Sequence, residues 1–190
     1  MKKFSIFVTM LLLAAFANPV FSQGFQAPSP GKAVVYFVRV SGWGSGVTFE
    51  FFLGDKYIGA FKGKNYMRYE CDPGENLFWA SSENKEFLTA DLKAGGIYIV
   101  IVDVIEGFWK AHVGLTPVDE TKPDLLERAK ALVNKKPPVV TPQAKIEKMN
   151  NKLKKFISEE LSHYEQVTKN KYNFHHISPE MAIPLEKLKD

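Results

Sequence analysis

The sequence predicts a mainly β protein: an antiparallel β-sandwich of about eight strands with a C-terminal α-helical extension. Three observations carry this reading. Between residues 33 and 118, short apolar or alternating runs are separated by glycine-bearing turns roughly every eight to twelve residues, the spacing of an all-β sandwich or barrel. After Val118 the apolar residues recur at helical intervals instead. The 190 residues are 45% hydrophobic and 24% charged, which is ordinary globular composition and excludes a wholly disordered chain.

The N-terminus reads as an exported leader. Lys2 and Lys3 precede an uncharged run from Phe4 to Phe16, too short for the roughly 20 apolar residues that span a bilayer. Small residues offer cleavage after Ala17 or after Ser22, and Asn18-Pro19 favours the second by breaking the helix just upstream. Residues 1–22 are therefore expected to be a signal peptide. No cysteine follows the apolar run, so the expected product is exported to the periplasm or outer surface and is not a lipoprotein. Residues 23–30, rich in glycine, proline and serine, read as a flexible lead-in.

The β-sandwich domain is expected over residues 31–118. Residues 33–40 are apolar on both faces, as in a central strand. In 47–53, Val47, Phe49, Phe51 and Leu53 share a side, and Gly54-Asp55 reverses the chain into 56–61. In 66–71, Met67, Tyr69 and Cys71 face one way and Arg68 and Glu70 the other. Asp72-Pro73-Gly74-Glu75 is a turn before 76–81. Strands follow at 86–92, with Leu88, Ala90 and Leu92 inward, at 97–105, and at 111–118.

A helix is expected within 119–134, with Thr121 and Asp124 resembling a capping box and Leu125, Leu126, Ala129, Leu132 and Val133 forming its stripe. Residues 135–142 hold three prolines and two lysines and read as a linker. Residues 143–190 read as an amphipathic helix and tail. The helical stripe is Ile146, Met149, Leu153, Phe156, Ile157, Leu161 and Tyr164, and its candidate roles are docking on the sandwich or binding a partner.

The formal charge of +4 divides unevenly. The leader carries two lysines and no acid, leaving 23 basic and 21 acidic groups in the remainder. Residues 23–118 hold 9 basic and 10 acidic groups, and residues 119–190 hold 14 and 11, so the positive balance belongs to the extension. With no nucleic-acid motif and an exported chain, nucleic acid is excluded as a partner. Lysines on the second helix suit a membrane surface, but Glu147, Glu159 and Glu160 dilute the field.

Four stretches resemble an exported bacterial family, a domain of unknown function with small transthyretin-like or PEGA-like β-sandwiches. They are Gly31-Lys32-Ala33-Val34-Val35-Tyr36-Phe37-Val38-Arg39, Gly54-Asp55-Lys56-Tyr57-Ile58-Gly59, Pro73-Gly74-Glu75 and Leu92-Lys93-Ala94-Gly95-Gly96-Ile97-Tyr98. Gly96 lengthens the last of these turns relative to the family pattern, and the helices after residue 119 lie outside the resemblance. The resemblance implies a sandwich fold and an envelope location, and it implies no reaction.

The sequence points to no cofactor and no metal. The single cysteine, Cys71, is expected in the core. His175-His176 with His163 lacks metal-ligand spacing, and there is no P-loop, H-E-x-x-H or dinucleotide fingerprint. A hydrolase would need Asp103 and His112 to converge with a serine such as Ser41 or Ser45. A symmetric loop at 106–110 would set Asp103 opposite Val113 and turn it away from His112.

A ligand site is expected at one end of the sandwich. If each connection reverses direction, the loops at 41–46, 62–65, 82–85 and 106–110 share that end. They bring together Trp43, Lys62, Lys64, Asn65, Phe108 and Trp109. The expectation is a non-enzymatic envelope module for binding or assembly, whose partner is an envelope protein or glycan. A hydrolase with an unrecognised site and a structural subunit of a surface assembly are the alternatives.

Overall fold

A computed structural model describes residues 23–106 and 111–189. The expected signal peptide at 1–22, and Phe108 and Trp109, lie outside the described residues. The molecule is mainly β, as the alternating runs predict. One sheet has the order β4-β1-β7-β8, made of β1 (Ala33–Val38), β4 (Tyr66–Cys71), β7 (Ile97–Glu106) and β8 (Ala111–Val118). The other has the order β3-β2-β5-β6-β9, made of β2 (Thr48–Leu53), β3 (Lys56–Lys62), β5 (Gly74–Ser81), β6 (Lys85–Leu92) and β9 (His175–Ile177).

Two features depart from a purely antiparallel set of eight strands. β1 and β7 are parallel neighbours, because alternating strands distributed over two sheets place two of the same direction side by side. β9 adds to β6 in parallel after the helices return to the sheet. Three residues, two of them histidine, carry no strand period that a sequence reading can detect.

Three apolar layers explain the architecture. Between the sheets, Val35, Phe37, Phe51, Phe78, Leu88 and Val100 are packed with Cys71, which is buried and free. On the outer face of the β1 sheet, Val34, Tyr36, Val38, Ile99 and Ile101 are covered by Leu126, Ala129, Leu132 and Val133 of α1 (Pro123–Val133). On the outer face of the β2 sheet, Phe52, Tyr57, Trp79 and Phe87 are covered by α2 (Gln143–His163). The helical path continues through a π turn, Tyr164–Thr168, to Lys171.

The α2 layer is an aromatic stack. Phe52 and Trp79 rings lie 3.8 Å apart and nearly parallel, and Phe156 of α2 stands 5.9 Å from Trp79. Tyr164 stacks on Phe87 at 4.3 Å, and Trp79 Nε1 donates to Gly54 O at 2.9 Å. Ile146, Met149, Leu153, Phe156, Ile157 and Leu161, the residues offered as a partner-binding stripe, all pack into this layer. That stripe is docked because the sheet face beneath it carries Phe52, Tyr57, Trp79 and Phe87, and leaving both exposed would forfeit about 25 cal/mol per Å² of buried apolar surface.

Three further expectations are corrected. Residues 23–30 are held in place: Phe25 is buried against Tyr36 at 4.6 Å, Gly24 N donates to Val133 O, and Arg68 Nη2 donates to Ala27 O. Residues 135–142 are a strap across the β3 and β4 edges. Val139 N donates to Tyr66 O at 2.8 Å, and Ala60 N donates to Thr141 Oγ1 at 3.2 Å. The strap lies so close that a Cβ on Gly59 would sit 2.8 Å from Met67 Sδ and 3.0 Å from Thr141 Oγ1. Asn150 of α2 continues the edge protection, accepting from Tyr57 N and donating to Tyr57 O. Finally, α1 starts at Pro123 with Lys122 before it, and Thr121 bonds Asp119 instead of capping the helix. Proline at the first helical position sets the start, since it needs no amide partner there.

Because α2 is a layer of the fold, a chain ending at residue 142 is expected to expose Phe52, Trp79 and Phe87 and to lose cooperative thermal unfolding. Trp79→Ala in the full chain should cost about 3–5 kcal/mol in urea denaturation.

Candidate functional site

Among the described residues, the connections at 41–46, 62–65 and 82–85 gather at one end of the sandwich, beside the adjoining ends of β7 and β8. Arg39 N donates to Asn65 O at 2.9 Å, tying the β1–β2 connection to the β3–β4 turn. A Cβ on Gly63 would meet Ser45 at 3.7 Å, and one on Gly44 would meet Val104 of β7 at 3.5 Å. Asn84, in the β5–β6 turn, both accepts from Val113 N and donates to Val113 O, so β8 is joined to the same end.

The organiser is a residue the sequence reading passed over. Arg39 continues the inward phase of Ala33, Val35 and Phe37, so its side chain enters the end of the core. It is 0% exposed and lies over the Phe49 ring at 4.8 Å. Its Nη1 donates to Val47 O at 3.0 Å, and its Nη2 donates to Trp43 O at 2.8 Å and Gly44 O at 2.7 Å. Burial lowers its pKa from the ordinary value. One guanidinium thus fixes three carbonyls of the loop that carries Trp43. Gly44 takes φ +63°, a conformation only glycine adopts freely.

Trp43 itself is 51% exposed on this fixed loop. Lys62 and Lys64 are exposed in the turn that Arg39 N and Ser45 join to this loop. Asn65 is corrected from a ligand group to a structural one: its Nδ2 donates to Lys62 O at 2.7 Å and its Oδ1 accepts from Lys136 Nζ at 2.6 Å. Lys136 belongs to the strap and also donates to Lys64 O. Its presence at this end was not legible in the sequence, since the strap's path depends on tertiary docking.

The Asp103 expectation is also corrected. Asp103 pairs with Gly114 and Ile105 pairs with His112, so Asp103 and His112 lie on one face of the sheet. The register differs because Glu106 and Ala111 are themselves paired, making the loop one residue shorter than the symmetric estimate. Asp103 nevertheless bonds Thr116 and feels the charge of Arg128; burial raises its pKa while those two neighbours lower it. Ser41 Oγ accepts from Trp43 N at 3.2 Å. Burial pushes the Cys71 thiol up to about 11, which leaves it protonated and unreactive at neutral pH.

His175 and His176 alternate along β9, and His176 Nδ1 meets Thr89 Oγ1 at 2.9 Å. Among the described residues, no group of three or more histidine, cysteine, aspartate or glutamate side chains could hold a metal ion.

Glu86 lies on the same strand phase as Leu88 and Ala90, at the loop end of the inter-sheet core. Burial alone raises its carboxyl from 4.5 to about 7. An acid whose folded-state pKa is raised holds its proton while the unfolded chain releases one, so this group lowers stability as pH rises from about 4.5 to about 7. Glu86→Gln should therefore be more stable than the parent above pH 7 and show no difference of this origin below pH 4, as read by urea midpoints across that range. Arg39→Met should free three loop carbonyls and accelerate amide exchange at Val47, whose N–H bonds Gly44 O at 2.9 Å. Bonds to a charged donor are worth about 1.5–3 kcal/mol each, so a loss of about 2 kcal/mol or more is expected by denaturation.

No protein-family model matches the chain, and no curated protein matches it.

Proposed function

We propose that this protein is an exported, non-enzymatic binding module of the cell envelope, with its contact surface at the loop end around Trp43, Lys62 and Lys64. The observation that carries the reading is a large exposed aromatic on a loop pinned from below by a buried arginine. A solvent-facing loop gains nothing in stability by displaying tryptophan, whereas a binding surface gains a rigid contact whose ordering cost is already met in the free state. The flanking lysines add donors suited to the hydroxyl and carboxylate groups of an envelope glycan or protein. Export rests on the basic and apolar leader at residues 1–22.

Two further points favour this loop end over the alternatives. The α2 stripe is covered by the sandwich, so its apolar face is spent on the fold. The groups offered for hydrolysis are committed locally, Asp103 to Thr116 and Ser41 to the Trp43 amide. The test is retention on purified envelope glycan and on immobilised envelope protein. Trp43→Ala should weaken retention on one of them by about tenfold or more, the scale of a tryptophan hot spot, without changing the melting temperature. Equal retention of parent and variant on both matrices would remove the reading.

A further inference from the structure

A second feature of the loop end shares Lys64 with the proposed contact surface but does not depend on Trp43. A cleft of about 520 Å³ opens between the last turns of α1 and the β3–β4 turn. Its charged lining is Lys64, Arg128, Lys135 and Lys136, all cationic, over an apolar floor that includes Val40 and Leu132. Among the described residues, none of these four forms a salt bridge, although Lys130 on the same helix is paired with Glu127. Asp103 acts on Arg128 from the sheet and is itself bonded to Thr116.

Among the described residues, none of the four side chains donates to a carbonyl at the end of α1. The last carbonyls of α1 already have donors: Leu132 O accepts from Lys135 N, Val133 O from Gly24 N, and Asn134 O from the Gln23 side chain. Nor are the cations scattered at random. Lys136 is anchored by Lys64 O and Asn65 Oδ1, which holds its ammonium beside the Lys64 backbone. Burial, and then the charge of Lys64, lower the Lys136 pKa from its ordinary value. Four cations line this cleft, and no carboxylate lines it with them. A phosphate ester supplies up to two negative charges and several acceptor oxygens, and Arg128 offers the planar fork that such a group accepts.

We infer that this cleft binds a phosphate ester, with the phosphate between Lys64, Arg128, Lys135 and Lys136 and its organic body over Val40 and Leu132. The volume suits a small organic ligand or one phospholipid headgroup. Glycerol 3-phosphate is the soluble probe and vesicles of phosphatidylglycerol, against phosphatidylcholine, are the lipid probe. At low salt the full chain should bind at least one of them, with amide shifts at Lys64, Arg128 and Lys135. Raising salt should weaken that binding, because exposed charges are screened over about 10 Å at 0.1 M. Arg128→Gln with Lys135→Gln should weaken it about tenfold or more, and Lys64→Gln alone serves if the double variant is less stable.

Binding of the soluble ester alone assigns a free ligand, and binding of vesicles alone assigns the headgroup. Trp43→Ala should leave either unchanged, so failure here is distinguishable from failure of the Trp43 reading. No binding of either probe, or binding unaltered by the charge-neutral variants, would overturn the inference.

Discussion

Each sheet of this protein carries a large apolar patch on its outer face as well as an apolar inner face, and that constraint determines the rest of the structure. A sandwich of two sheets covers only its inner faces. Here Val34, Tyr36, Ile99 and Ile101 on one side, and Phe52, Trp79 and Phe87 on the other, need covers of their own. α1 and α2 supply them, which makes four layers out of what the chain order presents as a domain and an appendage. The strap between the helices follows from the same requirement. To carry the chain from one outer face to the other it must cross an open edge, and in doing so it protects β3 and β4.

That arrangement narrows where a ligand can act. The amphipathic helix spends its apolar stripe on the sheet. The proposed contact surface is the end where the connections at 41–46 and 62–65 meet, and there the structure contains a costly element. A fully buried arginine with its Nε lacking a hydrogen-bond partner is expensive to fold. Its return is the fixed geometry of residues 43–47. Strap and loop end are also linked, since Lys136 bonds the turn that carries Lys62 and Lys64.

Much of the fold was legible because alternation is a direct record of sheet faces. Leu88, Ala90 and Leu92 point inward as their spacing implies, and Met67 and Cys71 enter the core. Counting reversals placed the connections at 41–46, 62–65 and 82–85 at one end, and among the described residues those three do meet there even though β1 and β7 are parallel. What was illegible depended on long-range pairing. β9 is too short to show a period, the β7–β8 register turned on the length of one loop, and the strap's docking is set by the distance between two sheet edges. Arg39 was readable in principle. Its inward phase after Ala33, Val35 and Phe37 signals a buried charge just before a glycine-rich loop, and a buried charge needs partners that the loop carbonyls provide. Asn65 misled in the opposite sense, because an amide in a turn serves the turn as readily as a ligand.

The central claim is that the helices and the two sheets form one cooperative unit. Native-state hydrogen exchange on the full chain tests it most directly. Amides of α2 around Phe156 and Ile157 and amides of β5 around Trp79 should open with the same free energy and the same denaturant dependence. If α2 exchanged through a separate low-energy opening while β5 stayed protected, the helix would be a detachable arm, and the four-layer account would be wrong.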